Sequence, residues 1–83
     1  FVIDSRAMAL LQLGRYEEAK ADYEAALAGQ PNQMVSLYGL GLARLALGDE
    51  GGREDLDRAR ARDVDVADDF RVFEARHPDL VRR

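Results

Sequence analysis

The sequence predicts an all-α fold in which antiparallel helix pairs stack on one another. Apolar residues recur at helical spacing along most of the 83 residues. The dipeptide formed by Leu13 and Gly14 recurs 34 residues later as Leu47 and Gly48. A repeat of this length indicates one supersecondary unit that is used twice. No segment shows the strict alternation of apolar and polar residues that is typical of a strand.

Two helices are predicted in the first unit. The apolar stripe of the first helix consists of Ile3, Ala7, Leu10 and Leu11. Gly14 ends this helix, because glycine accepts the left-handed backbone of a helix C-terminus. The stripe of the second helix consists of Tyr16, Ala19, Tyr23, Ala26 and Leu27. Pro31 cannot continue that helix, so we expect it to end near Gly29.

The second unit repeats this plan, and a further helix follows it. The third helix, about 33–47, is apolar over most of its circumference and is expected to be buried on more than one side. The fourth, about 50–62, carries Gly51 and Gly52 in its first turn, each costing about 1 kcal/mol relative to alanine. A fifth helix is predicted with Asp65 as N-cap, and it ends before His77 and Pro78. Its apolar stripe consists of Val66, Phe70 and Phe73.

Small and large residues alternate where these helices must meet. Ala7 and Gly41 are small where the two helices of each pair approach closely, and Ala19 and Gly52 are their counterparts on the second helices. The large residues that we expect to fill the gap between the repeats are Tyr23 and Leu56. Stacked units of this kind share a continuous core, and they need about three copies or a cap for stability. We therefore expect further repeats upstream in a parent protein, or self-association.

These residues resemble the tetratricopeptide repeat, a family of helix-turn-helix repeats. The first copy carries Ala7, Leu10, the run from Leu13 to Ala19, Tyr23, Ala26, Leu27, Pro31 and Asn32. The second copy keeps Leu37, Leu40, Gly41, Leu47, Gly48, Asp49, Leu56 and Ala59. It departs from the family pattern at Glu50, Arg60 and Val64, where an aromatic, an apolar residue and proline are usual. In the fifth helix, Glu74 replaces the usual small residue.

The resemblance implies a right-handed α-solenoid fragment of about five helices. Residues 1–32 would form the first repeat, 33–64 the second, and 65–83 a capping helix with a short tail. In this family the first helix of each pair lines a concave groove that holds a peptide or helix of a partner. The groove positions carried over to this chain are Phe1, Asp4, Ser5, Met8, Leu11, Gln12, Val35, Tyr38, Gly39, Leu42, Leu45 and Ala46.

Two interpretations of this largely apolar groove stay open. It accepts an apolar helix or strand of a partner, as exposed apolar patches often do. Alternatively, the fifth helix or a neighbouring copy of the chain covers it. Some members of the family hold a C-terminal carboxylate with Lys, Arg and Asn, which are absent from these positions. Asp4 would repel a carboxylate, so we predict against that mode of binding.

Composition and motifs argue against most other function classes. The 12 basic and 16 acidic residues give a net charge of −4, which disfavours binding to nucleic acid. No apolar stretch is long enough to span a bilayer. The absence of cysteine excludes thiolate chemistry and leaves the redox compartment open. Among compartments we favour the cytoplasm, and we expect a bacterial source.

No residue pattern predicts catalysis, a metal or a cofactor. His77 is the only histidine and has no nucleophile in a recognisable arrangement, so we interpret it as a helix-end residue. The acidic stretch 63–69 lacks the glycine and the full ligand set of a calcium loop and suits helix capping instead. Alternating arginines at Arg58, Arg60 and Arg62 suit a solvated, ion-paired face.

The sequence therefore predicts a non-catalytic scaffold that binds a protein or peptide partner. Two alternatives remain beside it. The chain could be a homo-oligomerisation or spacer element, or the accessory repeat region of a larger enzyme. No cofactor, metal, nucleic acid or membrane enters any of these interpretations.

Overall fold

Helices account for nearly all of the regular structure, as the sequence predicts. The structure, a computed structural model, describes the backbone of residues 2–82 and the side chains of residues 6–80. The four long helices are α1 (Val2–Gln12), α2 (Tyr16–Gly29), α3 (Met34–Ala46) and α4 (Gly52–Arg62). Consecutive helices pack against each other, α1 on α2, α2 on α3 and α3 on α4. Residues 2–82 contain no strand, and no helix among them combines the length and apolar character needed to cross a bilayer.

The turns after α1 and α3 have the same structure. Gly14 and Gly48 adopt positive φ angles of 83° and 89°. In the first turn, the Arg15 amide donates to the carbonyl of Leu10 at 2.9 Å. The equivalent bond runs from Asp49 to the carbonyl of Arg44 at 2.8 Å. Both turns thus satisfy the last helix carbonyls in the pattern of a Schellman motif, which only glycine enters without strain.

Close contact between α3 and α4 depends on two glycines. A Cβ atom on Gly41 would lie 2.6 Å from the carbonyl oxygen of Gly52, and one on Gly52 would overlap the carbonyl of Gly41. Ala7 and Ala19 are fully buried in the first pair. The prediction that small residues mark the close approach of the two helices is confirmed for Gly41 and Gly52. Gly51 precedes α4 and donates its amide to Asp49 Oδ1 at 2.9 Å, so α4 begins two residues later than expected.

Tyr23 joins the two pairs. Its side chain is fully buried, as is that of Leu56 to within 1%. The Tyr23 ring lies directly against Gly39, where any Cβ atom would overlap it. Gly39 therefore faces α2, and its assignment to the groove is wrong. The Tyr23 side chain of α2 fills the space next to Gly39 of α3, which a larger residue at position 39 would need for its own side chain.

An ion-pair cluster also links α3 to α4. Arg44 contacts Asp49 Oδ2 at 2.9 Å and Asp55 Oδ2 at 2.7 Å, and Arg58 contacts Asp55 Oδ1 at 2.9 Å. The side chain of Asp55 is only 3% exposed. Hydrogen bonds from Arg44 and from the Gly51 amide lower the pKa of Asp49. A buried carboxylate with two arginine partners has its charge balanced, so this cluster explains Asp55 as a structural residue.

The predicted fifth helix consists of two short pieces and ends before His77 as expected, and a further short helix follows where the sequence predicted a tail. A 3₁₀-helix (Val66–Phe70) leads into α5 (Arg71–Arg76), and α6 (Pro78–Arg82) follows a break at His77. Asp65 is the N-cap residue of the 3₁₀-helix, as predicted, but its side chain makes no capping hydrogen bond. Asp63 Oδ1 instead accepts the Asp65 amide at 3.1 Å. Residues 66–80, which contain these short helices up to Leu80, form the C-terminal segment.

Candidate functional site

The apolar centre of the predicted groove is buried. Leu11, Tyr38 and Leu42 have no exposed surface, and Leu45 is 1% exposed. Of the other predicted positions, Met8, Val35 and Ala46 are half-buried and Gln12 is exposed. Phe1 and the side chains of Asp4 and Ser5 lie outside the described residues. The α1–α3 face, meaning the side chains of Met8, Leu11, Val35, Tyr38, Leu42 and Leu45, therefore offers a partner little free apolar surface in this conformation.

Part of the cover comes from the C-terminal segment of the same chain. Its apolar residues Val66, Phe70 and Phe73 are each 1% exposed. The Phe70 ring stacks on Tyr38 with centroids 5.1 Å apart and an angle of 28° between the planes. The Phe73 ring meets Tyr16 edge-on, with centroids 6.4 Å apart. Aromatic pairs in these geometries stabilise by about 0.5–1.5 kcal/mol beyond their buried area.

Two hydrogen bonds of the Tyr38 hydroxyl accompany the stacking of Phe70 on Tyr38. The Tyr38 hydroxyl donates a hydrogen bond to Glu74 Oε2 and accepts one from Arg60 Nη2 at 2.9 Å. The Arg60 guanidinium carbon also lies 5.4 Å from the centroid of the Tyr38 ring, within cation–π range. Burial and the neighbouring Glu74 carboxylate raise the pKa of Tyr38 to about 12, against the opposing effect of Arg60. The phenol therefore stays protonated at neutral pH and keeps its proton available to the carboxylate.

The far end of the C-terminal segment contacts α4 through one hydrogen bond. Arg53 Nη2 donates to the carbonyl oxygen of Leu80 at 3.3 Å. The Phe73 and His77 rings lie 4.5 Å apart, so His77 packs at the helix end. An open cleft of about 320 Å³ remains beside Tyr16, Ala46 and Leu80.

Arg60, Phe70, Phe73 and Glu74 contribute to this face although the sequence assigned none of them to the groove. Phe70 and Phe73 were expected to be cap residues, and Arg60 was expected to lie on an ion-paired face. The sequence did mark Arg60 and Glu74 as unusual, because both depart from the repeat pattern. Both departures meet at one hydroxyl group, that of Tyr38.

The acidic stretch 63–69 does not assemble a metal site among the described residues. No three Asp, Glu, His or Cys side chains of residues 6–80 are grouped closely enough to hold an ion. Asp63 accepts a backbone amide, and Asp68 pairs with Arg71 at 3.1 Å. These contacts shape the start of the C-terminal segment.

Comparisons of the sequence with protein-family models and with curated proteins, and a comparison with solved structures, find no match.

Proposed function

We propose that this chain is a non-catalytic scaffold of the tetratricopeptide type, which binds an amphipathic helix of a protein partner on the α1–α3 face. One observation carries the proposal: the C-terminal segment, which is made of short helices, packs on Tyr38 of this face. The contacts are those of a helix bound in a groove, with apolar anchors spaced along one side and polar bonds at the rim.

The burial of the anchors supports this interpretation. Val66 and Phe70 lie in the 3₁₀-helix, and Phe73 lies in α5. All three are buried to within 1%. Their neighbour Val72 is 58% exposed, so the segment has a well-defined outer side. A partner helix with the same pattern of anchors would present the same surface to α3.

The paired helices support the tetratricopeptide-like arrangement that the proposal requires. The turns at Gly14 and Gly48 share one hydrogen-bond pattern, and small residues occupy the close approaches of both pairs. In this arrangement residues 1–32 and 33–64 are the two repeats, and residues 65–83 include the C-terminal segment. Repeat units stacked in this way leave one face of each first helix for binding.

The burial of Tyr38 and Leu42 favours a second candidate, a structural spacer in which the C-terminal segment is a permanent cap. The two functions differ in whether the segment can be replaced. A replaceable segment leaves a competent binding face behind, whereas a permanent cap leaves an unstable core with no affinity for a helix.

The variant Phe73→Ala separates these candidates, with Val72→Ala as the matched control on the outer side of the same helix. A labelled peptide with the sequence of residues 63–80 is titrated into each full-length protein, and binding is followed by fluorescence anisotropy. The scaffold function expects clear binding to Phe73→Ala and weak binding to Val72→Ala and wild type. If the peptide binds none of the three proteins, the permanent cap is correct and the scaffold function is wrong.

A further inference from the structure

We infer that a cleft between the start of α3 and the end of α4 binds a small aliphatic carboxylate, with the chain of the ligand in the cleft and its charge beside Arg62. This site is separate from the α1–α3 face, and the inference does not depend on the proposed function. The cleft has a volume of about 340 Å³. Its walls are Pro31, Met34, Leu37, Arg58, Ala61 and Arg62.

The walls of this cleft suit a small apolar ligand. Four of the six lining residues are apolar, and the rest of the chain buries Met34 and Leu37 only in part. Small-molecule sites are clefts of about 300–1,000 Å³ that are lined mainly by apolar groups, with a few polar groups that fix the ligand. The volume of this cleft lies near the lower end of that range, so a short aliphatic chain fits it better than a helix does.

Arg58 and Arg62 determine the sign of the charge that a ligand of this cleft carries. The two arginines are four residues apart on α4, so their side chains lie on the same side of this helix. None of the six lining residues is acidic. Like charges at this spacing on a helix repel each other, and a bound anion offsets that repulsion. A ligand with one negative charge therefore complements the cleft, whereas a cation does not.

Arg62 is the cation that remains available to the ligand. Arg58 already contacts Asp55 Oδ1 at 2.9 Å and Glu54 Oε1 at 3.6 Å. Arg62 contacts a neutral acceptor, Asn32 Oδ1, at 3.4 Å, and it has no acidic partner among the described side chains of residues 6–80. A guanidinium presents several N–H donors in a planar fork that matches a carboxylate. The interpretation of the alternating arginines as an ion-paired face therefore holds for Arg58 but not for Arg62.

The two methionines of the chain provide the readout. Met34 lines the cleft, whereas Met8 lies on α1 and is not one of the lining residues. Full-length protein that is isotopically labelled at the methionine methyl carbons therefore gives one NMR signal from the cleft and one control signal from outside it. Sodium octanoate is titrated into this protein. Octylammonium chloride, which has a chain of the same length and the opposite charge, is titrated into a parallel sample.

We expect octanoate to shift the Met34 signal to saturation, with a dissociation constant on the order of 1 mM, and to leave the Met8 signal in place. Octylammonium should bind at least about tenfold more weakly, because its charge meets two arginines. Arg62→Ala should weaken octanoate binding about tenfold. The matched control is Arg76→Ala, which also removes an exposed arginine from the last turn of a helix, but one outside the cleft. The control should bind octanoate as wild type does.

Several results would overturn the inference. Equal binding of octanoate and octylammonium to wild type would show that the cleft does not select a carboxylate, and this comparison needs no variant. Octanoate binding that is unchanged in Arg62→Ala, or equal shifts of the Met34 and Met8 signals, would show that the ligand does not bind in this cleft.

A peptide tests whether a protein segment supplies the same chemistry. It has the sequence Leu-Leu-Asp, with an acetylated N-terminus and an amidated C-terminus, and is titrated into the same labelled protein. If this peptide shifts the Met34 signal at lower concentrations than octanoate does, the occupant is a segment of a protein, and the assignment to a free acid is wrong. None of these outcomes bears on the function proposed for the α1–α3 face.

Discussion

Substituting Gly41 with alanine should destabilise the chain, although alanine is the better helix former. Gly41 lies inside α3, where the change improves intrinsic helix propensity by about 1 kcal/mol. Against this, the new Cβ atom would lie 2.6 Å from the carbonyl oxygen of Gly52 and 2.9 Å from Leu56 Cδ2. The first of these atoms belongs to the backbone of α4, so relief requires the two helices to move apart.

The size of the loss follows from this conflict. Overpacking a well-packed contact costs about 1–3 kcal/mol, and the propensity gain offsets part of it. We expect a net decrease in the free energy of unfolding of about 1–2 kcal/mol. In a domain of this size, that decrease corresponds to a fall in melting temperature of about 5–15 °C. The backbone of α4 already lies close to α3 at this point, because a Cβ atom on Gly52 would overlap the carbonyl oxygen of Gly41.

Urea and thermal unfolding, followed by circular dichroism at 222 nm, measure the effect. The matched control is Gly29→Ala at the end of α2, where an added Cβ atom meets no heavy atom within 4 Å. We expect the control to be as stable as wild type or slightly more stable. If Gly41→Ala behaves like Gly29→Ala, the close contact of α3 with α4 is not as described, and the packing explanation is wrong.

Three further results are expected. Asp55→Asn should lower the free energy of unfolding by about 2 kcal/mol, because it removes the buried carboxylate that pairs with Arg44. The control is Glu54→Gln, which changes an exposed carboxylate 3.6 Å from Arg58. In the same urea titration, the control should change the free energy of unfolding by less than about 0.5 kcal/mol. Gly48→Ala should cost about 1–2 kcal/mol because its φ angle is 89°; no loss in melting temperature would contradict the left-handed turn. The pKa of Tyr38 is raised by burial and by its bond to a carboxylate to about 12, so its contribution to stability is fully present below about pH 10 and is lost between about pH 10 and 12. Stability measured across that range should fall less steeply for Tyr38→Phe than for wild type, and parallel curves would refute the shift.

The sequence by itself determined the helices, the turns between them and the close approaches. Gly14 and Gly48 could be assigned from the sequence because a left-handed turn is a local requirement of one residue. Gly41 and Gly52 could be assigned because helical period places them on facing sides. The burial of Tyr23 and Leu56 was anticipated by the same reasoning.

Gly39 shows where this reasoning stops. Its helical position suits the groove, but the Tyr23 ring of α2 occupies the space beside it. Because glycine has no side chain, its contacts depend on which neighbouring side chain packs against its backbone. That neighbour lies 16 residues away in the sequence, and only the packing of α2 on α3 identifies it.

Only the tertiary structure decided what the α1–α3 face contacts. The Tyr38 hydroxyl bonds residues that are 22 and 36 positions away, Arg60 and Glu74. Periodicity assigns each of these to a helix face but carries no information on which distant face it meets. The end of the helix before His77 was predictable from Pro78, but the path of the C-terminal segment depends on long-range ring contacts and on the change from 3₁₀- to α-helix at Phe70, which the apolar spacing does not specify. The backbone conformation of a turn depends on residues that are adjacent in the sequence, whereas the packing of one helix on another depends on the whole folded chain.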